Sequence, residues 1–448
     1  MSESIIKDKY TIMTTTPVEP LILKLSVPTI ISMLVSSFYN MADTYFVGKV
    51  STEATAAVGV VFSLMAIIQA IGFYFGHGSG NYISRQLGKK QTDNADFMAS
   101  TAFFSTFIVG ILLLIFGSIF VKPLAILLGA TPTILNDVIS YMQIILIGAP
   151  FTMTSFVLNN QLRYQGNASY AMVGIVSGAV INIALDPVFI FIFDMGIKGA
   201  ALATIISQTI SFFLLLIGMN RGSIIKLSIK KFKYDFYYQK EIFKGGVPSL
   251  LRQGLASVST MFLNHVAGGY SDAAIAGISV VTRVSMFANS ALIGFGQGFQ
   301  PVVGFNYGAK LFDRVKKAFT FCVKVSLGFL IAVSVIGFIF PEQIISAFRD
   351  DPKVIEIGAF TLRAYAVAFP LNSVIVMANM LFQSSGKTIP ASLMASVRQG
   401  LFLIPVIFIM NYFFGLRGLQ LSQCVTDYCS FFLAIPLLIN YFKNISGE

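Results

Sequence analysis

Charge is what this sequence has least of. Of its 448 residues only 11% are charged, against 55% hydrophobic, and the mean hydropathy is +0.77. A soluble chain of this length needs far more ionic surface, so a water-soluble globular fold is excluded. Histidine is nearly missing. The two copies, His77 and His265, sit near the ends of apolar runs and are read as local hydrogen-bonders rather than proton relays. The three cysteines, Cys322, Cys424 and Cys429, lie in apolar runs, need no disulfide and are read as buried thiols. The chain contains no phosphate loop, metal cluster or nucleophile–base arrangement. Gly76-His77-Gly78-Ser79-Gly80, for instance, lacks the Lys-Ser/Thr that a phosphate loop requires. No enzymatic chemistry and no cofactor are expected. Residues 1–20 are polar and lack the apolar core and small-residue cleavage site of a signal peptide, so they read as a tail.

Apolar length is what the chain has in quantity. Twelve candidate spans run roughly over Leu21–Phe46, Ala54–Phe75, Ala95–Phe120, Ile134–Asn159, Ala168–Phe193, Ala200–Met219, Val247–Ala267, Ala273–Gly294, Ala318–Phe340, Val354–Phe382, Ala391–Met410 and Leu419–Phe442. Runs of about 20 residues without period-two alternation exclude a porin-like barrel. The expectation is an all-α polytopic membrane protein. Lys and Arg crowd one set of loops, including Arg85, Lys89, Lys90, Arg163, Lys310, Arg314 and the connector Arg221–Lys244, while the opposite loops hold few. That asymmetry places both termini in the cytoplasm of a multi-pass plasma-membrane protein. It also accounts for the net charge of +11 without nucleic acid. The connector reads as a solvated, lipid-headgroup-facing linker.

The two halves repeat at an offset of 220. Pro28 matches Pro248, Gly48 matches Gly268, Gly76 matches Gly296, Gly88 matches Gly308, Pro150 matches Pro370 and Gly166 matches Gly386. Gly and Pro fix backbone geometry, so their register implies shared kinks and close contacts. Six spans per half leave both copies in the same orientation, related by an axis along the membrane normal around a central cavity. The expected organisation is a tail over 1–20, a lobe over 21–220, a basic linker over 221–245, a lobe over 246–442 and a tail over 443–448.

Where the copies differ, chemistry is expected. Asp43 aligns with Leu263, and further on, where the offset slips to 218 as it does between Pro187 and Pro405, Asp186 aligns with Ile404 and Asn182 with Gly400. An acid inside a span is costly and marks a functional site by default. Asn182 and Asp186 are four apart and share a helix face, and Pro187 should kink the helix where the carboxylate sits. Span direction puts Asp43, Asn182, Asp186 and Thr204 at one depth. Together they form a set of hard oxygen ligands suited to Na⁺ or a shared proton, since two adjacent carboxylates resist ionising together without a cation. Tyr39, Asn159, Arg398 and Asp427 are candidates for the substrate cavity. Asp427 either serves substrate or pairs with a basic residue, and Arg398 is deep enough to want a partner. The many Phe, Tyr and Met residues suit a cavity for flat organic cations.

The segments Asn40–Gly48, Asn182–Pro187 and Gln300–Lys310 resemble the MATE family of multidrug and toxic-compound extruders over nearly the whole chain, nearest the bacterial branch with the DinF-like and MepA-like exporters. The resemblance implies export of organic cations or drugs by antiport with H⁺ or Na⁺, through inward- and outward-open states of a protein that works as a monomer among membrane lipids. In that branch the matching positions for the ion site are Asp43, Asn182, Asp186 and Thr204. The acids that another branch carries in its seventh and tenth helices have no counterpart within Val247–Ala267 or deep in the tenth span. The alternative is a lipid-linked oligosaccharide flippase of the same wider fold group. Arg252 and Arg398 favour it, and the retained acids disfavour it.

Overall fold

The computed structural model describes residues 2–445; the last three residues of the expected C-terminal tail, 446–448, lie outside the described residues. Ten helices are long and apolar enough to cross a membrane. One of these runs reverses at Gly415, whose φ of +57° breaks Leu403–Ile445 into two arms, and so counts as two spans. Phe236–Gly268, polar over its first turns, is the twelfth. The first six spans are Val18–Gly48, Thr52–Gly88, Thr92–Ile119, Leu135–Tyr164, Ala168–Pro187 with a π-helical turn over Val188–Ile192, and Gly196–Gly222. The second six are Phe236–Gly268, Asp272–Gly308, Phe312–Ile339, Pro352–Ser384 interrupted by a 3₁₀ turn at Phe369–Leu371, then Thr388–Ser396 continuing through a π-helical turn at Val397–Leu401 to residue 414, and finally 416–445. Short helices Val121–Leu127 and Pro341–Ser346 follow the third and ninth spans as counterparts.

The repeat is visible atom by atom. Ser51 and Ser271 cap the second and eighth spans by accepting from the N–H of Ala54 and Ala274, at 2.9 and 3.1 Å. Lys90 and Lys310 both take a left-handed backbone, with φ of 60° and 59°, after those same spans. Asn159 donates to the carbonyl of Ala171 at 3.0 Å, and Asn379 to that of Ala391 at 2.7 Å, tying the fourth span to the fifth and the tenth to the eleventh. The fourth and tenth spans are also the most enclosed by protein, each 67% buried over its apolar window.

Across the lobes, the first span packs on the eighth and the second on the seventh, which is one contact made twice about a pseudo-two-fold axis. Gly88 and Gly308 show why glycine is needed there. A Cβ on Gly88 would meet the carbonyl oxygen of Phe305, and one on Gly308 that of Arg85. At the end that carries both termini a single apolar core draws on both lobes, including Leu25, Ile83, Leu292, Phe299 and Phe305. At the other end the cores are separate, one within the first lobe around Val61, Tyr141 and Leu146, and two within the second. Inter-lobe contacts reach Ser37–Ser290, 3.1 Å apart, and the Phe38–Phe287 ring pair, about halfway along the first and eighth spans. The lobes are joined at the terminal end and diverge into a cleft at the other.

The segments read as a tail and as a linker are both anchored. The tail holds a helix, Ser2–Thr15, that lies across the closed end: Lys9 donates to Gly166 and Asn167, Asn306 donates to the carbonyl of Met13 at 3.0 Å, and Arg314 donates to that of Thr16 at 2.6 Å. It therefore touches both lobes. The basic connector packs on the third span. Asp96 accepts from the N–H of Lys226 at 2.9 Å and pairs with Lys231 at 2.5 Å, a bond that holds the Lys231 ammonium protonated above its ordinary range. The seventh span begins at Phe236, within the stretch read as linker.

Candidate functional site

The fifth span supplies the centre of the site. Its α-helix ends at Pro187 and passes into the π-helical turn Val188–Ile192, so the regular ladder is loosened directly after Asp186. Asp186 is fully enclosed, and Asn182, one turn earlier, is 1% exposed. With its amide nitrogen facing the carboxylate, Asn182 donates to Asp186 Oδ2 at 3.0 Å, and its oxygen accepts from the N–H of Thr204 at 3.2 Å. One amide thus joins the fifth and sixth spans. Asp43, on the first span, packs against the fifth and lies within electrostatic reach of Asp186. All four residues expected to bind a cation meet in one place.

Tyr39, one turn before Asp43, lies within electrostatic reach of both carboxylates. Tyr141 of the fourth span was not foreseen. Its buried phenol lies within electrostatic reach of both carboxylates as well. Its signal was depth alone, since the fourth span enters from the divergent end and Tyr141 lies near its start. Three oxygens here, Asp43 Oδ1, Asp186 Oδ1 and Tyr141 Oη, are buried without a hydrogen-bond partner. Such orphaned acceptors are costly unless something occupies them. Hard oxygens around two carboxylates fit Na⁺ or a proton shared between them. Among the described residues there is no cluster of three or more His, Cys, Asp or Glu that would hold a transition metal.

The second lobe carries a different group. Asp427, 2% exposed, pairs with Arg398 Nε at 3.0 Å, and also accepts from Gln423 Nε2 at 3.0 Å and Asn372 Nδ2 at 3.1 Å. Of the two readings left open for Asp427, the structure shows the basic partner. Arg398 sits in the π-helical turn of the eleventh span, which presents it to the twelfth. Asn159 stands apart from both groups, with its amide committed to the repeated bond with Ala171. Cys322 is buried as expected, but Cys429 faces outward from its helix. His77 bonds the Phe73 carbonyl through Nδ1 at 3.2 Å and stacks on the Phe73 ring.

Two parallel six-helix lobes that part around a cleft, with unpaired carboxylates buried in one of them, define a membrane transporter. The chain belongs to the MatE family, whose model matches residues 28–188 and again 248–409, once in each half. The multidrug export protein MepA of Staphylococcus saprophyticus is 29% identical over 404 residues, covering 90% of this chain and 89% of that protein. MepA of Staphylococcus aureus strain MRSA252 is 29% identical over 414 residues, covering 92% and 91%. Among solved structures, the outward-facing conformation of a multidrug-resistance MATE transporter of the MOP superfamily superposes with a TM-score of 0.88 at 25% identity, covering 96% and 99%. A MATE protein in complex with MaL6 does so at 0.92 and 24% identity, covering 98% and 99%, which shows the shared fold.

Proposed function

We propose that this protein exports organic cations and drugs from bacteria by antiport with H⁺ or Na⁺, the ion binding among Asp43, Asn182, Asp186 and Thr204. The observation that carries the reading is the pair of carboxylates that each hold a buried, unpartnered oxygen, present in one copy of the repeat and replaced by Leu263 and Ile404 in the other. A structural requirement of the fold would recur in both lobes. Relatives named as multidrug exporters support the substrate class, and none of them supports the oligosaccharide flippase. The basic loops at the joined end support cytoplasmic termini, and in that orientation the cleft opens outward. Alternation follows if ion binding favours one of two lobe arrangements and ion release the other. No cofactor takes part; the coupling ion is cargo.

The test is ethidium efflux from cells carrying the wild-type protein or Asp186→Asn at matched membrane levels. The variant should lose energy-driven efflux while remaining folded and inserted. Efflux at the wild-type rate would overturn the assignment of the site.

A further inference from the structure

Below the acid cluster, where the cleft meets the closed end, lies a group of opposite character. Arg163, near the end of the fourth span, is 1% exposed. Its guanidinium donates to Asn160 Oδ1 at 2.5 Å, to Gln300 Oε1 at 3.2 Å and to the carbonyl of Gln297 at 3.3 Å, and lies 4.9 Å from the centre of the Tyr164 ring. Every one of those partners is neutral, and Nε has none. Arg252 of the seventh span lies six residues, about 9 Å, above Gly246, which packs against the second span at the carbonyl of Tyr74. It is half-buried, on the wall just above the closure, within electrostatic reach of Arg163, Tyr164 and His77. Neither guanidinium has a carboxylate at ion-pair distance among the described residues. Tyr164 Oη is a further buried polar atom without a partner.

Two guanidinium groups held close in a protein interior repel each other, and a buried charge without a counter-ion is costly. Asp427 does not relieve this, being occupied by Arg398. Asp43 and Asp186 sit toward the divergent end, apart from the closure. We propose that this cationic floor is an anion subsite: Arg252, backed by Arg163 and the Tyr164 hydroxyl, takes the carboxylate of amphipathic substrates that are zwitterions. Arg252 makes the contact, because it is only half-buried. Arg163 is enclosed and acts through its charge. The cationic end of such a substrate then points up the cleft, away from the floor. The proposal rests on the export reading and adds to it a second charge preference, whose contact residue, Arg252, belongs to the lobe that carries none of the coupling acids, with Arg163 and Tyr164 of the first lobe behind it.

The test uses rhodamine 110, a zwitterion with a free carboxylate, and its methyl ester rhodamine 123, which has the same ring system without the negative charge. Transport of both is measured in proteoliposomes with wild type, Arg252→Gln and Arg252→Lys, and the readout is the acid-to-ester ratio of kcat/KM. A charge-assisted hydrogen bond predicts that the ratio falls about tenfold or more in Arg252→Gln and recovers in part in Arg252→Lys. Because the ratio is internal to each variant, a loss of folded protein cancels. An unchanged ratio in Arg252→Gln, or wild-type transport of the ester alone, would overturn the subsite and leave the export reading standing. Transport of neither dye by the wild type would overturn the export reading, and the subsite with it.

Discussion

At the scale of single residues, two enclosed aspartates behave as opposites. Asp427 has a partner on both oxygens, including the Arg398 guanidinium at 3.0 Å. Asp186 has one oxygen satisfied by Asn182 and one by nothing. Removing one partner of a buried ion pair strands the other, at a cost of about 3–5 kcal/mol. Asp427→Asn should therefore lower the thermal unfolding midpoint in detergent, and Asp186→Asn should leave it equal to wild type or higher. Equal losses in both variants would contradict the division between a structural acid and a transport acid. The meeting of Asp43 and Asp186 was legible in the sequence because spacing and span direction fix depth, and the missing counterparts at Leu263 and Ile404 set these two acids apart from the shared scaffold. Tyr141 was not legible, because its approach depends on how the fourth span is rotated against the first and fifth. The Arg398–Asp427 pair bridges two spans 29 residues apart, and no helical spacing encodes that contact.

At the scale of elements, glycine and proline carried the reading further than hydropathy did. The register of Gly88 with Gly308 predicted matched close contacts, and in the structure each faces a carbonyl of the opposite lobe. Gly308→Val should push the closed end apart, because backbone on both sides leaves no flexible side chain to yield. Spin labels at Gln91 and Leu311, counterparts in the repeat next to that contact, would report it in a background lacking the three native cysteines. A population at longer distance is expected in the variant. An unchanged distance distribution would show that the contact does not set the closure. The anchoring of the N-terminal helix and the connector was not legible for a common reason. Their anchors include backbone carbonyls at Met13 and Thr16, and two acids, Asp93 and Asp96, that look like any polar residues at a span end. Composition reports charge and not the surface it rests on.

At the scale of the whole molecule, the asymmetry is functional and the scaffold symmetric. Twin six-helix lobes share one core at the closed end and have separate cores at the other. That arrangement is the one the proposed alternation needs, in which a rigid-body rock of one lobe against the other would exchange the open and closed ends. The proposed ion site lies wholly inside the first lobe, between its first, fifth and sixth spans. On that proposal, ion binding would act on the shape of that lobe, and through the pairing of the first span with the eighth on the closure.

The most direct measurement of this account is ethidium transport in proteoliposomes with a Na⁺ gradient and a pH gradient imposed separately. Wild type, Asp43→Asn and Asp186→Asn are compared under each. The wild type should respond to one gradient, which names the coupling ion, and neither variant should respond to either. Gradient-driven transport at the wild-type rate by either variant would contradict the claim that the carboxylates of the first lobe couple ion to substrate.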